Sequence, residues 1–242
     1  LKNLVDFNAS NNQLSSIPAW IGQLEKLEQL DLRVNNIEML PAEIGNLKSL
    51  KSLTVGNNAL RAFPETLTNL KQLEWLFAGK NQLEYLPQNF STLTNLQRLW
   101  LDYNQIEALP ENFGQLTKLF ELMLHHNLLD KIPEEITELT QMQKLNVSDN
   151  QLSTLPERLD KLKELVELKA SSNQIIALPS AIGSLQKLET LELGKNQLKE
   201  LPKTINDLFG LRNLTLSQNP LDPKVIEQVR DSLPGCYVYF IN

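Results

Sequence analysis

The sequence predicts an α/β repeat solenoid: a curved arc of about ten parallel strands on the concave side, short 3₁₀ or helical segments on the convex side, and a C-terminal helix and strand as a cap. Leucine accounts for 50 of the 242 residues and asparagine for 24, which indicates that one unit is used repeatedly. Nine prolines, from Pro18 to Pro202, and ten asparagines, from Asn12 to Asn219, recur every 23 residues without an insertion. A constant period of this length is typical of solenoids.

Each repeat follows the pattern LxxLxLxxNxLxxLPxxIxxLxx, and the repeats begin at residues 4, 27, 50, 73, 96, 119, 142, 165, 188 and 211. In LxxLxL, apolar residues alternate with variable ones, which predicts a strand with one buried face and one solvent face. A parallel sheet normally hides both faces, so an open face favours a solenoid. Of the 50 leucines, 48 occupy the apolar positions of this pattern, and only Leu128 and Leu233 do not.

An asparagine ends each strand, where its side-chain amide can donate to and accept from the backbone of the turn. We therefore expect a stack of asparagines that satisfies backbone groups turned toward the interior. A proline six residues later ends the extended chain and starts the outer segment. The spacing PxxIxxL then predicts one or two turns of 3₁₀ or α-like helix that direct an isoleucine inward, at Ile21, Ile44, Ile136, Ile182 and Ile205.

The repeat stops after Leu221, and we expect a solenoid over residues 1–221 and a C-terminal cap over residues 222–242. Asp222 and Pro223 are suitable as the N-cap and first residue of a helix. The segment from 236 to 241 is rich in strand-forming residues, and we expect it to cover the open edge of the last repeat.

The two ends of the chain differ in pattern. Leu1 would occupy the last apolar position of an earlier repeat, so we expect residues that precede it. The C-terminal cap is an argument against a further domain packed directly after residue 242.

Over nearly its whole length the chain resembles the leucine-rich-repeat family. Its 23-residue LPxxI repeats are similar to those of intracellular Ras-group proteins, of Roco-type GTPases and of many bacterial proteins. The resemblance implies a horseshoe-like solenoid with parallel strands on the inside. The ending, a helix followed by LPxC and a strand, is similar to that of bacterial members, so a bacterial source is expected.

Composition excludes several classes of function. A net charge of −6 and a pI near 5.1 disfavour nucleic acid and anionic membranes as partners. No apolar run is long enough for a membrane span, and one cysteine, Cys236, makes no internal disulfide. No phosphate-binding, hydrolase or metalloprotease motif occurs, so neither catalysis nor a cofactor is expected. Localisation stays open between the cytoplasm and secretion, with the cytoplasm favoured.

Positions 3, 5, 7 and 8 of each repeat face the concave side, and neighbouring repeats stack them into columns. These positions are mostly small or polar in repeats 1–3 and 7–10. Repeats 4–6 carry both histidines and two of the three tryptophans of the chain. We expect a binding patch there, called the central patch below, which consists of Trp75, Phe77, Lys80, Arg98, Trp100, Asp102, Tyr103, Met123, His125 and His126.

Large aromatic residues, methionine and arginine are enriched at protein interfaces, and a contiguous exposed apolar patch is usually functional. The sequence therefore predicts a monomeric, non-enzymatic module that binds a protein or peptide on the concave face of repeats 4–6. The aromatic residues and Met123 would make the apolar contacts, and the charged residues and histidines would give polar specificity. The off-pattern Leu128 is expected at the edge of this patch, whereas Trp20 and Tyr85 are interpreted as isolated surface residues.

Several alternatives remain open. The aromatic residues could form a ladder that only stiffens the sheet. The alternating charges of Arg98, Glu121, Lys144 and Glu167 are best interpreted as sheet stabilisation. A metal site at the two histidines is disfavoured, because adjacent histidines at a strand end need not converge. The chain could also be the sensing arm of a larger enzyme, such as a Roco-like GTPase or a bacterial effector ligase, or could bind a small molecule or glycan.

Overall fold

The computed structural model describes residues 3–241, and within them eleven three-residue strands form one parallel sheet in the order of the chain. The strands are Asp6–Asn8 (β1), Gln29–Asp31 (β2), Ser52–Thr54 (β3), Trp75–Phe77 (β4), Arg98–Trp100 (β5), Glu121–Met123 (β6), Lys144–Asn146 (β7), Glu167–Lys169 (β8), Thr190–Glu192 (β9), Asn213–Thr215 (β10) and Tyr237–Tyr239 (β11). Strands β1 to β10 cover positions 3–5 of the ten repeats, as predicted. The expected position of Leu1 lies outside the described residues.

The leucine alternation produces the sheet's two faces. In β5, Leu99 is fully buried, whereas Arg98 and Trp100 lie on the opposite face, which we call the open face. Each strand pairs with the next in the same register, so that Phe77 aligns with Trp100 and Trp100 with Met123. A residue therefore lies beside the residue 23 positions further along, and the predicted columns are confirmed.

The asparagines form the predicted ladder between repeats. Asn127 donates from Nδ2 to the carbonyl oxygens of Leu101 and Leu124 at 2.9 and 3.0 Å, and its Oδ1 accepts from the Ile106 amide at 3.0 Å. Two of these three partners belong to the preceding repeat. The asparagines from Asn35 to Asn219 repeat this arrangement, so each one joins two repeats at the end of their strands.

The residue before each ladder asparagine, at position 8, adopts the left-handed backbone conformation, with φ between 53° and 57° in all ten repeats. None of these residues is glycine, and each such conformation costs about 1 kcal/mol or more. Tyr103 and His126 are two of them. The turn is retained because the ladder bonds on either side of it define the path of the backbone.

The outer segments are 3₁₀ helices, as predicted. Six have five residues, Ala19–Gln23, Ala42–Asn46, Glu65–Asn69, Glu134–Glu138, Ser180–Ser184 and Lys203–Asp207, and three have three, Phe90–Thr92, Phe113–Gln115 and Leu159–Lys161. The five isoleucines expected to point inward are all buried. Phe90 and Phe113 are fully buried in two of the shorter segments, where they fill the same place in the core.

The predicted cap consists of helix α1, Pro223–Ser232, and strand β11. The Asp222 carboxylate accepts a hydrogen bond from the Lys224 amide at 2.9 Å, which is the predicted N-cap. Ile226, Val229 and Leu233 pack on the core, and β11 pairs with β10. Cys236 is half-buried between helix and strand, and burial raises the pKa of its thiol.

Candidate functional site

The aromatic column on the open face forms as predicted. The ring centroids of Phe77 and Trp100 are 4.6 Å apart at a tilt of 58°, and Met123 follows on the next strand. The Trp100 indole Nε1 donates to Glu121 Oε1 at 3.0 Å, while 39% of the residue remains exposed. This bond holds the indole in one orientation and leaves much of its surface accessible.

A second column runs beside the first, through Trp75, Arg98 and Glu121. The Arg98 guanidinium lies 5.7 Å from the Trp75 ring and 5.2 Å from the Phe120 ring, within the range of cation–π contacts. Its Nε is 3.3 Å from Glu121 Oε2 but is not aligned for a hydrogen bond. We therefore interpret this contact as a weak ion pair. In the part of the chain that the structure describes, Lys144, next in this column, forms no ion pair within 4.0 Å.

Both histidines contact Tyr103 of the preceding repeat, because the left-handed turn at position 8 brings side chains of neighbouring repeats close together. Tyr103 stacks on His126 at 4.1 Å and meets His125 edge-on at 5.4 Å. His126 Nε2 lies 3.5 Å from Asp149 Oδ2, and His125 Nε2 lies 4.0 Å from Asp102 Oδ2. We call these five residues the histidine cluster.

Burial lowers the pKa of His125 below its ordinary value, although the Asp102 carboxylate opposes this shift. Burial therefore favours the uncharged form of this imidazole. Over residues 3–241, no group of three or more histidine, cysteine, aspartate or glutamate side chains is arranged to hold a metal ion.

A pocket of about 460 Å³ opens on the same face, and only part of it was predicted. Position 7 is glycine in repeats 3 and 4, Gly56 and Gly79, between Arg33 and Asp102 in the same column. These two glycines leave a gap two strands wide beside the ring of Phe77. The lining residues are Asp31, Arg33, Val34, Thr54, Gly56, Asn57, Phe77, Gly79, Lys80, Trp100 and Asp102.

The central patch thus divides into two neighbouring parts. Phe77, Lys80, Trp100 and Asp102 line the pocket. The remaining predicted residues, Trp75, Arg98, Tyr103, Met123, His125 and His126, lie outside its lining. Sequence reasoning missed the contribution of repeats 2 and 3, because it treated their positions as a polar background. The signal that could have revealed it is the pair of consecutive glycines at position 7 of repeats 3 and 4, in a column whose only other glycine is Gly194.

The structure corrects one part of the prediction for the two surface residues Leu128 and Tyr85, because Tyr85 is not isolated. Leu128 was expected at the edge of the central patch and Tyr85 as an isolated residue, but the two line one groove together with Glu84, Gln105, Glu107 and Ala108. They are 41% and 55% exposed. The chain turns at Asn127 before it reaches Leu128, so this side chain lies on the lateral surface rather than on the open face.

The fold and this face define a class of protein: a parallel repeat solenoid with one broad, solvent-exposed sheet face. Leucine-rich-repeat models match residues 30–83 and 120–175, and 3–24 and 95–116, together more than half of the chain. The chain belongs to the leucine-rich-repeat family. A search of curated proteins found no match.

Solved structures agree with this assignment. The chain is 40% identical to a leucine-rich-repeat protein of Leptospira interrogans, with a TM-score of 0.95, over 99% of this chain and 61% of that one. It is 29% identical to the plant peptide hormone receptor RGFR1, solved in complex with RGF2, with a TM-score of 0.82 over 98% of this chain and 42% of that one.

An internalin, InlF of Listeria monocytogenes, shares the fold at 23% identity and a TM-score of 0.62, over 100% of this chain and 83% of that one. The similarity to the Leptospira protein supports the bacterial origin that the sequence predicts. None of the helices in the described residues is long and apolar enough to cross a membrane.

Proposed function

We propose that this chain is a non-catalytic module that binds a protein or peptide on the concave, open face of repeats 4–6. The observation that carries the proposal is the group of exposed aromatic residues on neighbouring strands and turns of this face, where Trp75, Trp100 and Tyr103 are 38%, 39% and 45% exposed. Exposed aromatic residues of this kind supply most of the binding energy at protein interfaces. The similarity to a peptide hormone receptor supports the same role.

The surface is suited to recognition because its aromatic rings are already held in place. Glu121, which is 9% exposed, fixes the Trp100 indole, and Phe77 packs against that ring. When a partner covers these side chains, little conformational entropy is lost, because they are already ordered. The histidine cluster lies beside the rings and offers hydrogen-bonding groups to the same partner.

The experiment is capture of a partner from a lysate of the source cells, followed by mass spectrometry and a binding measurement with the purified partner. Phe77→Ala combined with Trp100→Ala should weaken binding more than ten-fold, since loss of aromatic contacts at the centre of an interface costs about 2 kcal/mol or more.

The matched control is Trp20→Ala, which removes a tryptophan that is 44% exposed and lies in the first outer 3₁₀ segment. This variant should bind as the unmodified chain does. The proposal is wrong if the double variant retains its circular dichroism spectrum and still binds the partner with unchanged affinity.

A further inference from the structure

The glycine gap allows one carboxylate to extend into the pocket. A Cβ atom on Gly79 would lie 2.6 Å from Asp102 Oδ1 and 2.8 Å from Oδ2, so the carboxylate occupies the space above this glycine. Any other residue at position 79 would displace Asp102. Arg33 stands at the opposite end of the gap.

The charged groups at the two ends of the pocket differ in whether they have an ion-pair partner. At one end, Arg33 Nε pairs with Asp31 Oδ2 at 3.0 Å. At the other end, the Asp102 side chain is only 18% exposed, and His125 is the nearest basic group to it, at 4.0 Å. No lysine or arginine of residues 3–241 forms an ion pair with Asp102.

The wall of the pocket fits the stem and head of a basic side chain. The Phe77 and Trp100 rings form one wall, along which an aliphatic stem would pack. The negative face of an indole attracts a cation, and a guanidinium stacks on it while it donates two hydrogen bonds to a carboxylate. The net charge of −6 of the whole chain favours a basic partner as well.

We propose that this pocket receives an arginine side chain of the partner, with the guanidinium against Asp102 and the stem along Phe77 and Trp100. The proposal rests on the protein-binding role of the open face and adds the chemistry of the residue that is recognised. Lys80 lies on the rim, with its ammonium 5.7 Å from the Tyr103 ring, and its charge opposes the incoming cation. Lys80 therefore weakens the site and provides a test with the opposite sign.

The probe is N-acetyl-L-argininamide, and the comparison compound is its uncharged isostere N-acetyl-L-citrullinamide. Each is added in an NMR titration at pH 7.5 that follows the signals of the Trp100 indole and of the Gly56 and Gly79 amides. The arginine probe should shift these signals in a saturable way with a dissociation constant in the millimolar range. The citrulline probe should bind at least ten-fold more weakly.

Asp102→Asn should reduce binding of the arginine probe at least ten-fold, and Lys80→Met should strengthen it two-fold or more. Asp160→Asn is the matched control, since it makes the same charge change in the outer 3₁₀ segment Leu159–Lys161, away from the open face, and should have no effect. Gly79→Ala, which displaces Asp102 without changing the charge, should weaken binding as Asp102→Asn does. Its control is Gly194→Ala, in the same column of repeat 9, where the nearest atoms lie 3.4 Å from an added Cβ.

Equal binding of the two probes, or unchanged binding by a folded Asp102→Asn variant, would overturn the arginine pocket. These outcomes are distinct from failure of the protein-binding role. The protein-binding role is refuted only when the captured partner binds the variant without Phe77 and Trp100 with unchanged affinity. The arginine pocket is refuted by the probe titration alone.

Discussion

Replacement of one ladder asparagine should measure how strongly the turns hold the repeats together. Asn127→Ala removes a side chain that is 5% exposed and makes three close hydrogen bonds. The two carbonyl oxygens that it bonds keep another donor, because Leu101 also accepts from Asn104 and Leu124 from Asn150. The Ile106 amide is different, since Asn127 Oδ1 is its one hydrogen-bond partner among the described residues.

The expected loss of stability follows from this asymmetry. One buried donor without a partner costs about 1–3 kcal/mol, and the two weakened carbonyl contacts add about 1 kcal/mol together, so the free energy of unfolding should fall by about 2–4 kcal/mol. Asn12→Ala is the matched control. Asn12 is exposed, and among the described residues its side chain bonds only to Ala9 and Ser10 of its own repeat, so its loss should cost about 0.5–1 kcal/mol.

Urea denaturation measures both variants, and equal m-values would show that the same cooperative unit unfolds in each. Amide hydrogen exchange should also show that Ile106 loses protection in Asn127→Ala. If Asn127→Ala were no more destabilising than Asn12→Ala, the ladder would not be the connection between repeats that its hydrogen bonds indicate.

Three further changes test the outer segments, the indole contact and the histidine cluster. Gly45→Ala should lower the free energy of unfolding by about 1–3 kcal/mol, since its Cβ would lie 2.3 Å from the Thr66 carbonyl oxygen. Gly235→Ala is the control: no atom lies within 4 Å of its added Cβ, so the free energy of unfolding measured in urea should change by less than about 0.5 kcal/mol. Glu121→Ala should cost about 1–3 kcal/mol in the same assay, because it leaves the partly buried Trp100 Nε1 without its acceptor, whereas Glu121→Gln keeps an acceptor and should cost less than half as much. The pKa of His125 is lower in the folded chain than its ordinary value of 6.5, so the unfolded chain binds the proton more readily and stability should fall as pH decreases through 6.5 toward the folded pKa. The pKa of this histidine also responds to the charges of Asp102, His126, Asp149 and Lys169. The measurement is therefore the loss of stability between pH 7.5 and pH 5.0, compared between the unmodified chain and His125→Gln. An equal loss in both would contradict the assignment.

The candidate site could be predicted in part because the constant repeat length fixes which residues lie side by side on neighbouring strands. A period of 23 residues without insertion places Phe77 beside Trp100 and Trp100 beside Met123, and the strand register confirms both pairs. The pocket was not predicted, because a pocket depends on missing side chains as much as on present ones. Gly56 and Gly79 have no side chain that could indicate a function, although together they open the floor of that pocket.

The sequence alone determined the class of fold, the register of the ten repeat strands, the asparagine ladder and the helix-and-strand cap. It could do so because these features depend on periodicity and on strong local preferences, which are the same in every repeat. Tertiary structure decided where individual side chains lie. It placed the Asp102 carboxylate over Gly79, bonded the Trp100 indole to Glu121 and put Leu128 beside Tyr85. Each of these outcomes depends on the direction of a side chain relative to a neighbour about 20 or more residues away, and a repeating pattern contains no information on that direction.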